Sequence, residues 1–168
     1  ATQENLQVYL EKYPYTPYVD EVMAMQGIMW SEKGEYQHAI DELEKVDVKN
    51  ISRTIEYTYS FHMGYALMQL HNYKKALTYL LPLKTQHNSP YTLQASYYAG
   101  YCHYNLKEYN KALVEFLSLE HVGGYRKIAP YYVVQIHYAL SEYEEVLERA
   151  ERLLADFPDN EYNDELHR

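Results

Sequence analysis

The side chains best suited to chemistry in this 168-residue chain are eight histidines, one cysteine and 22 tyrosines. Metal or nucleophilic chemistry needs such groups at converging spacings, such as HExxH, CxxC or two histidines four residues apart on a helix. None of these spacings occurs. Cys102 and His103 are adjacent, so a helix would point them in different directions. There is no Gly-x-Ser-x-Gly turn and no glycine-rich phosphate loop. The carboxylates gather in "DELEKVD" (41–47) and "SEYEEVLERAERLLADF" (141–157), which read as solvated outer faces of helices. No catalytic residue, no metal site and no cofactor is therefore expected. The tyrosines suggest recognition instead. "YYAGYCHYNLKEYNKAL" (97–113) sets Tyr97, Tyr98, Tyr101, Tyr104 and Tyr109 around Gly100. A phenol offers a large rigid surface with a hydrogen-bonding tip, the residue type that dominates binding hot spots.

The elements that position these rings repeat. "KGEYQHAI" (33–40), "LHNYKKAL" (70–77), "LKEYNKAL" (106–113) and "LSEYEEVL" (140–147) align on Tyr36, Tyr73, Tyr109 and Tyr143, at spacings of 37, 36 and 34 residues. Nine residues before the first three anchors lie Gly27, Gly64 and Gly100, and three residues after them lie Ala39, Ala76 and Ala112. The fourth copy carries Val134 and Val146 instead. "LQVYLEKYP" near the start matches "ERLLADFPD" near the end, in the same rhythm. Each period reads as two helices: Val22, Met25 and Met29 precede an anchor at helical spacing, and Leu77, Leu80 and Leu81 follow one. Thr16-Pro17 and Ser89-Pro90 read as a capping side chain with proline at the first helical position, and Pro130 serves likewise after Gly123-Gly124. Pro82 falls inside a second helix and should kink it or end it early. A glycine inside a helix costs about 1 kcal/mol relative to alanine. Its recurrence in phase with a small residue twelve positions on implies two antiparallel helices in close approach.

Glycine, an aromatic and then alanine, at a period of about 34 residues, resembles the tetratricopeptide repeat. The resemblance covers nearly the whole chain and implies an all-α fold, an α-α superhelix of four helical-hairpin repeats with partial repeats at both ends. The boundaries expected are 1–15 for the second helix of a truncated repeat, then 16–50, 51–88, 89–124 and 125–159 for four repeats. Residues 160–168 would begin a further one. The second aromatic usual in the repeat is not uniform, since Trp30, Leu67, His103 and His137 occupy its place, which suits the histidines to semi-buried packing. "YLEKYPYTPYVDEV" (9–22) also looks like repeat starts in bacterial cell-envelope tetratricopeptide proteins. That likeness implies the periplasm or the outer-membrane periphery.

In such proteins the first helices line a concave groove. By phase with the glycine, the inward positions here are Phe61, Tyr65 and Met68, then Tyr97, Tyr101 and Tyr104, then Tyr131, Gln135 and Tyr138. The first repeat gives the blander set Ala24, Ile28 and Ser31. Two readings stand side by side: rings packed on neighbouring helices to stiffen the array, or a groove that binds a peptide segment or amphipathic helix. The two overlap, because one ring can pack at its base and bind at its edge. A glycan or peptidoglycan strand stacking on the same rings is the alternative. None of the nine positions is Lys or Arg, which argues against a phosphate or terminal-carboxylate clamp there.

The bulk properties agree. A formal charge of −9 disfavours a nucleic-acid partner, since phosphate neutralisation needs cations. No run approaches the roughly 20 apolar residues of a membrane span. Ala1 opens the chain without Met, and "DNEYNDELHR" reads as a helix just beginning, so a soluble piece of a longer protein is expected. Repeats cut at both ends would expose apolar faces and favour end-to-end pairing of copies.

Overall fold

A computed structural model describes residues 2–159, 161 and 162. Among them are nine α-helices, two short 3-10 turns and no strand. The contacts divide the chain into two compact units, residues 1–95 and 96–168.

The first unit contains α1 (Gln3–Lys12), α2 (Val19–Glu32), α3 (Tyr36–Leu43), α4 (Arg53–Gln69), α5 (Tyr73–Leu83) and the first turn of α6 (Thr92–Asn105). Helices α2 and α3 pack as one hairpin and α4 and α5 as the next, with α3 also against α4. The second unit holds the rest of α6, α7 (Tyr109–Leu117), α8 (Ala129–Ala139) and α9 (Tyr143–Asp156). There α8 packs on both α7 and α9. The helix expected to begin at 160–168 lies outside the described residues, except for Glu161 and Tyr162, which form a turn.

Local chemistry sets the helix starts. The side chains of Thr2, Ser52 and Asn72 each accept from the backbone N–H three residues on, at 3.2, 3.3 and 3.4 Å, which caps α1, α4 and α5. Two expected starts move. Thr16 Oγ1 accepts from the Tyr18 N–H at 3.2 Å and Ser89 Oγ from the Tyr91 N–H at 3.1 Å. Each hydroxyl therefore closes a small turn ahead of the helix, and α2 and α6 begin at Val19 and Thr92. Pro130 sits in the first turn of α8, where its missing N–H has no helical partner to lose. Pro82 does not shorten α5, which at 11 residues exceeds α3 at 8 and α7 at 9. It stands one residue from the helix end, where the Thr85 N–H and hydroxyl both donate to its carbonyl.

The hairpin turns share one backbone device. Gly34, His71, Lys107 and Ser141, each two residues before an anchor tyrosine, have φ of 81°, 63°, 61° and 61°. In all four, this residue's N–H and the next return to carbonyls of the helix just ended, as in Ser141 to Tyr138 and Glu142 to His137. That closes the helix with a left-handed residue. Only the first copy places glycine there.

The in-helix glycines act differently. Gly27, Gly64 and Gly100 are buried, and Ala39, Ala76 and Ala112 are fully so. A Cβ at Gly27 would lie 2.5 Å from Leu43 Cγ, and one at Gly64 would lie 2.7 Å from Leu80 Cγ. One at Gly100 would meet Phe116 Cζ at 3.0 Å and Glu115 Cβ at 3.1 Å. The close approach is therefore made by the side chain sixteen residues after the glycine. The alanine contributes its carbonyl, 3.4 Å from the same point at Gly27 and Gly64, and its small size lets the helices close. Leu43, Leu80 and Phe116 are wholly buried as a result. In the fourth copy the sizes reverse: Val134 stands at the glycine position and Ala150 sixteen residues on.

Gly64→Ala should destabilise the chain by about 1–3 kcal/mol, because the overpacking against Leu80 outweighs the helix-propensity gain. Gly100→Ala, whose Cβ would press on Phe116 and Glu115 at 3.0–3.1 Å, contacts that a shift of a few tenths of an ångström relieves, should cost less than Gly64→Ala. Urea unfolding followed by circular dichroism measures both. Equal effects at the two sites would count against the packing described.

Candidate functional site

The nine inward positions divide between the units. In the first unit, Phe61 and Met68 are 8% and 5% exposed, and belong to the core. The Phe61 ring stacks on Tyr91 with centroids 4.5 Å apart and planes 10° from parallel. Tyr65 is half-buried and presents an edge-to-face contact to Tyr36, the anchor of the previous repeat, at 5.8 Å.

In the second unit the rings meet. Tyr132 on α8 lies flat on Phe116 of α7, with centroids 4.6 Å apart and planes 7° from parallel. Tyr97, Tyr101 and Tyr104 of α6 approach it at steep angles, at 6.2, 6.4 and 5.8 Å, and Tyr131 at 5.5 Å. Tyr97 also leans on Tyr125 at 5.4 Å. Edge-to-face geometry sets the positive rim of one ring against the negative face of another. The arrangement rests on an apolar floor of Ala112, Phe116, Leu119, Ala129, Val133 and Ile136.

Tyr132 and Tyr125, which hold this cluster together, stand at none of the inward positions. Tyr132 falls two residues before the Val134 phase marker, and Tyr125 sits in the 3-10 turn Gly123–Tyr125. The local signal for Tyr132 was its pairing with Tyr131, one ring directed at each side of the helix. The signal for Tyr125 was an aromatic immediately after two glycines.

Above this base the rings reach water. Tyr101, Tyr104, Tyr131 and Gln135 are half-buried, and Tyr138 is 62% exposed. Tyr138 meets the anchor Tyr143 edge to face at 5.9 Å, as Tyr104 meets Tyr109 at the same distance. Tyr131 leans on Tyr162 at 5.2 Å. The half-exposed set therefore has fixed ring orientations.

Burial tunes the phenols. It pushes the Tyr97, Tyr104, Tyr125 and Tyr132 hydroxyls above the ordinary tyrosine value. In the first unit, burial and then the Tyr79 phenol and Glu44 push Tyr59 up to about 12.

His103, His137 and Cys102 are packed in the interior. His103 and His137 are 6% and 7% exposed. Their Nδ1 atoms lie 3.3 Å from Glu108 and 3.6 Å from Glu142, the residue five places on in each repeat. Burial pushes the Cys102 thiol up to about 12, away from the thiolate that would react. Among the described residues, no three of His, Cys, Asp and Glu gather to hold a metal ion, and no helix is long and apolar enough to cross a membrane.

A phenol raised in the folded chain contributes stability that is complete below its unfolded value near 10, and loses it as the pH rises through the folded value. Alkaline titration should therefore show a class of phenols, Tyr59, Tyr97, Tyr104, Tyr125 and Tyr132 among them, that ionises only above the ordinary tyrosine range, together with loss of the helical circular dichroism signal. A single class ionising near pH 10 with the helices intact would contradict the buried cluster.

No family model matches the sequence, and no curated protein matches it. Solved structures similar to the chain include MamA AMB-1, a tetratricopeptide repeat protein, in two crystal forms. One has a TM-score of 0.72 at 15% identity, covering 91% of this chain and 79% of that one. The other has a TM-score of 0.63 at 15% identity, covering 81% and 77%. The glycine-paired helical hairpins and this likeness agree: the chain has an all-α, tetratricopeptide-like fold.

Proposed function

We propose that the chain is a non-catalytic scaffold that holds a protein partner, and that the tyrosines of its second unit grip a peptide segment or an amphipathic helix. The observation that carries this reading is the two-tier arrangement of rings. Tyr97 and Tyr132 pack with the fully buried Phe116 in the base, while Tyr101 and Tyr131 are half-buried around it and Tyr138 is 62% exposed. Rings already held by neighbours lose little side-chain entropy when a ligand settles on them, which favours binding. Each well-seated ring contributes about 1–3 kcal/mol, enough in combination for micromolar affinity. Tyr65 is the first unit's counterpart, and Phe61 and Met68 support it from the core. A glycan strand would need broad open ring faces. Here Tyr97, Tyr101 and Tyr104 are committed to contacts with Tyr132, which favours the peptide reading. The envelope location rests on the likeness of "YLEKYPYTPYVDEV" to envelope repeats.

The test separates edge from base. Peptides selected from a random library on the full chain should lose about tenfold or more in affinity for a Tyr101→Ser, Tyr138→Ser variant. Its helical content and unfolding midpoint should stay nearly unchanged. Tyr132→Ser should instead lower the midpoint. Peptides that bind the double variant as tightly as the parent would overturn the assignment.

A further inference from the structure

A cleft of about 450 Å3 opens in the second unit between the segment that follows α7 and helix α9, sharing no residue with the tyrosine cluster. Three of the four arginines among the described residues, Arg126, Arg149 and Arg152, line it, together with His121. In a chain of net charge −9 the lining sets these three guanidiniums against two carboxylates, Glu120 and Asp156. Pro130, Leu153 and Phe157 supply an apolar wall.

One guanidinium already shows how the cleft holds a carboxylate. Arg149 Nη1 donates to Glu120 Oε1 at 2.6 Å, with the two side chains 31% and 16% exposed. Arg152 donates to Glu148 at 2.8 Å, but those side chains are 64% and 71% exposed. A surface pair of that kind is worth little and exchanges readily for another carboxylate. Arg126 is exposed just after the Gly123–Tyr125 turn. The planar guanidinium fork matches a carboxylate better than a lysine ammonium does.

We propose that this cleft binds a peptide segment in which carboxylate side chains flank an apolar residue. The carboxylates pair with Arg126 and Arg152, and the apolar side chain lies on Leu153 and Pro130. This second contact surface does not depend on the tyrosines, so the failure of either site leaves the other standing and the two are tested separately.

The probes are acetyl-Glu-Leu-Glu-amide and its uncharged counterpart acetyl-Gln-Leu-Gln-amide, titrated into the full chain and followed by NMR of the arginine side-chain N–H signals. Saturable binding of the acidic peptide at about millimolar or tighter affinity, at least about tenfold weaker for the glutamine peptide, is the result expected. An Arg126→Gln, Arg152→Gln variant, whose exposed side chains leave the fold intact by circular dichroism, should lose that binding. Tyr101→Ser, Tyr138→Ser should retain it. Absence of saturation, equal binding of the two peptides, or undiminished binding by the arginine variant would overturn the proposal. Displacement by inorganic phosphate at the same concentration as the peptide would also overturn it, reducing the cleft to a general oxyanion site.

Discussion

The first three hairpins depend on one steric allowance: a missing side chain on the first helix receives a large one from the second. Gly27, Gly64 and Gly100 leave the space, and Leu43, Leu80 and Phe116 fill it completely. The glycine weakens its own helix by about 1 kcal/mol, yet full burial of a Leu or Phe contributes about 1.5–3 kcal/mol. The balance favours nesting, and nesting fixes the rotation of both helices. Once that rotation is set, the residues one and four after the glycine fall on a common side, and the tyrosines gain their register.

In the third repeat the same allowance builds the aromatic cluster. The residue that nests against Gly100 is Phe116 rather than leucine, and its other surface carries the Tyr132 ring. Tyr132 in turn collects Tyr97, Tyr101, Tyr104 and Tyr131. A structural need of the hairpin thus becomes the foundation of a candidate binding surface. Packing and recognition are not rival readings of these rings: Tyr97 packs on Tyr132, and Tyr138, 62% exposed, is the ring left open for the proposed contact.

The fold was legible because its marks recur. Small residues, anchor tyrosines and their spacing could be aligned by eye, and the helix pairs follow from them. What was not legible came from contacts without a period. Leu43, Leu80 and Phe116 looked like ordinary apolar residues, so the glycine's partner was read as the alanine four positions earlier. Phe61 and Met68 shared the phase of Tyr65 and Tyr101, yet they are buried, because Tyr91 covers Phe61 from a turn whose conformation no pattern announces. The left-handed residues of three hairpin turns are His, Lys and Ser, which carry no signal for positive φ. The arginine cleft joins residues from a loop and a helix some thirty positions apart, and only folding brings them together.

The fourth hairpin offers a direct test of the nesting, since Val134 and Ala150 stand where the second has Gly64 and Leu80. A double-mutant cycle with Gly64→Val and Leu80→Ala, measured by urea unfolding, transplants that reversed pair. If the void left by one side chain is filled by the other, the double variant should be more stable than the sum of the single losses by about 1 kcal/mol or more. Losses that add to within about 0.5 kcal/mol would show that the two positions do not share one space, and would contradict the account.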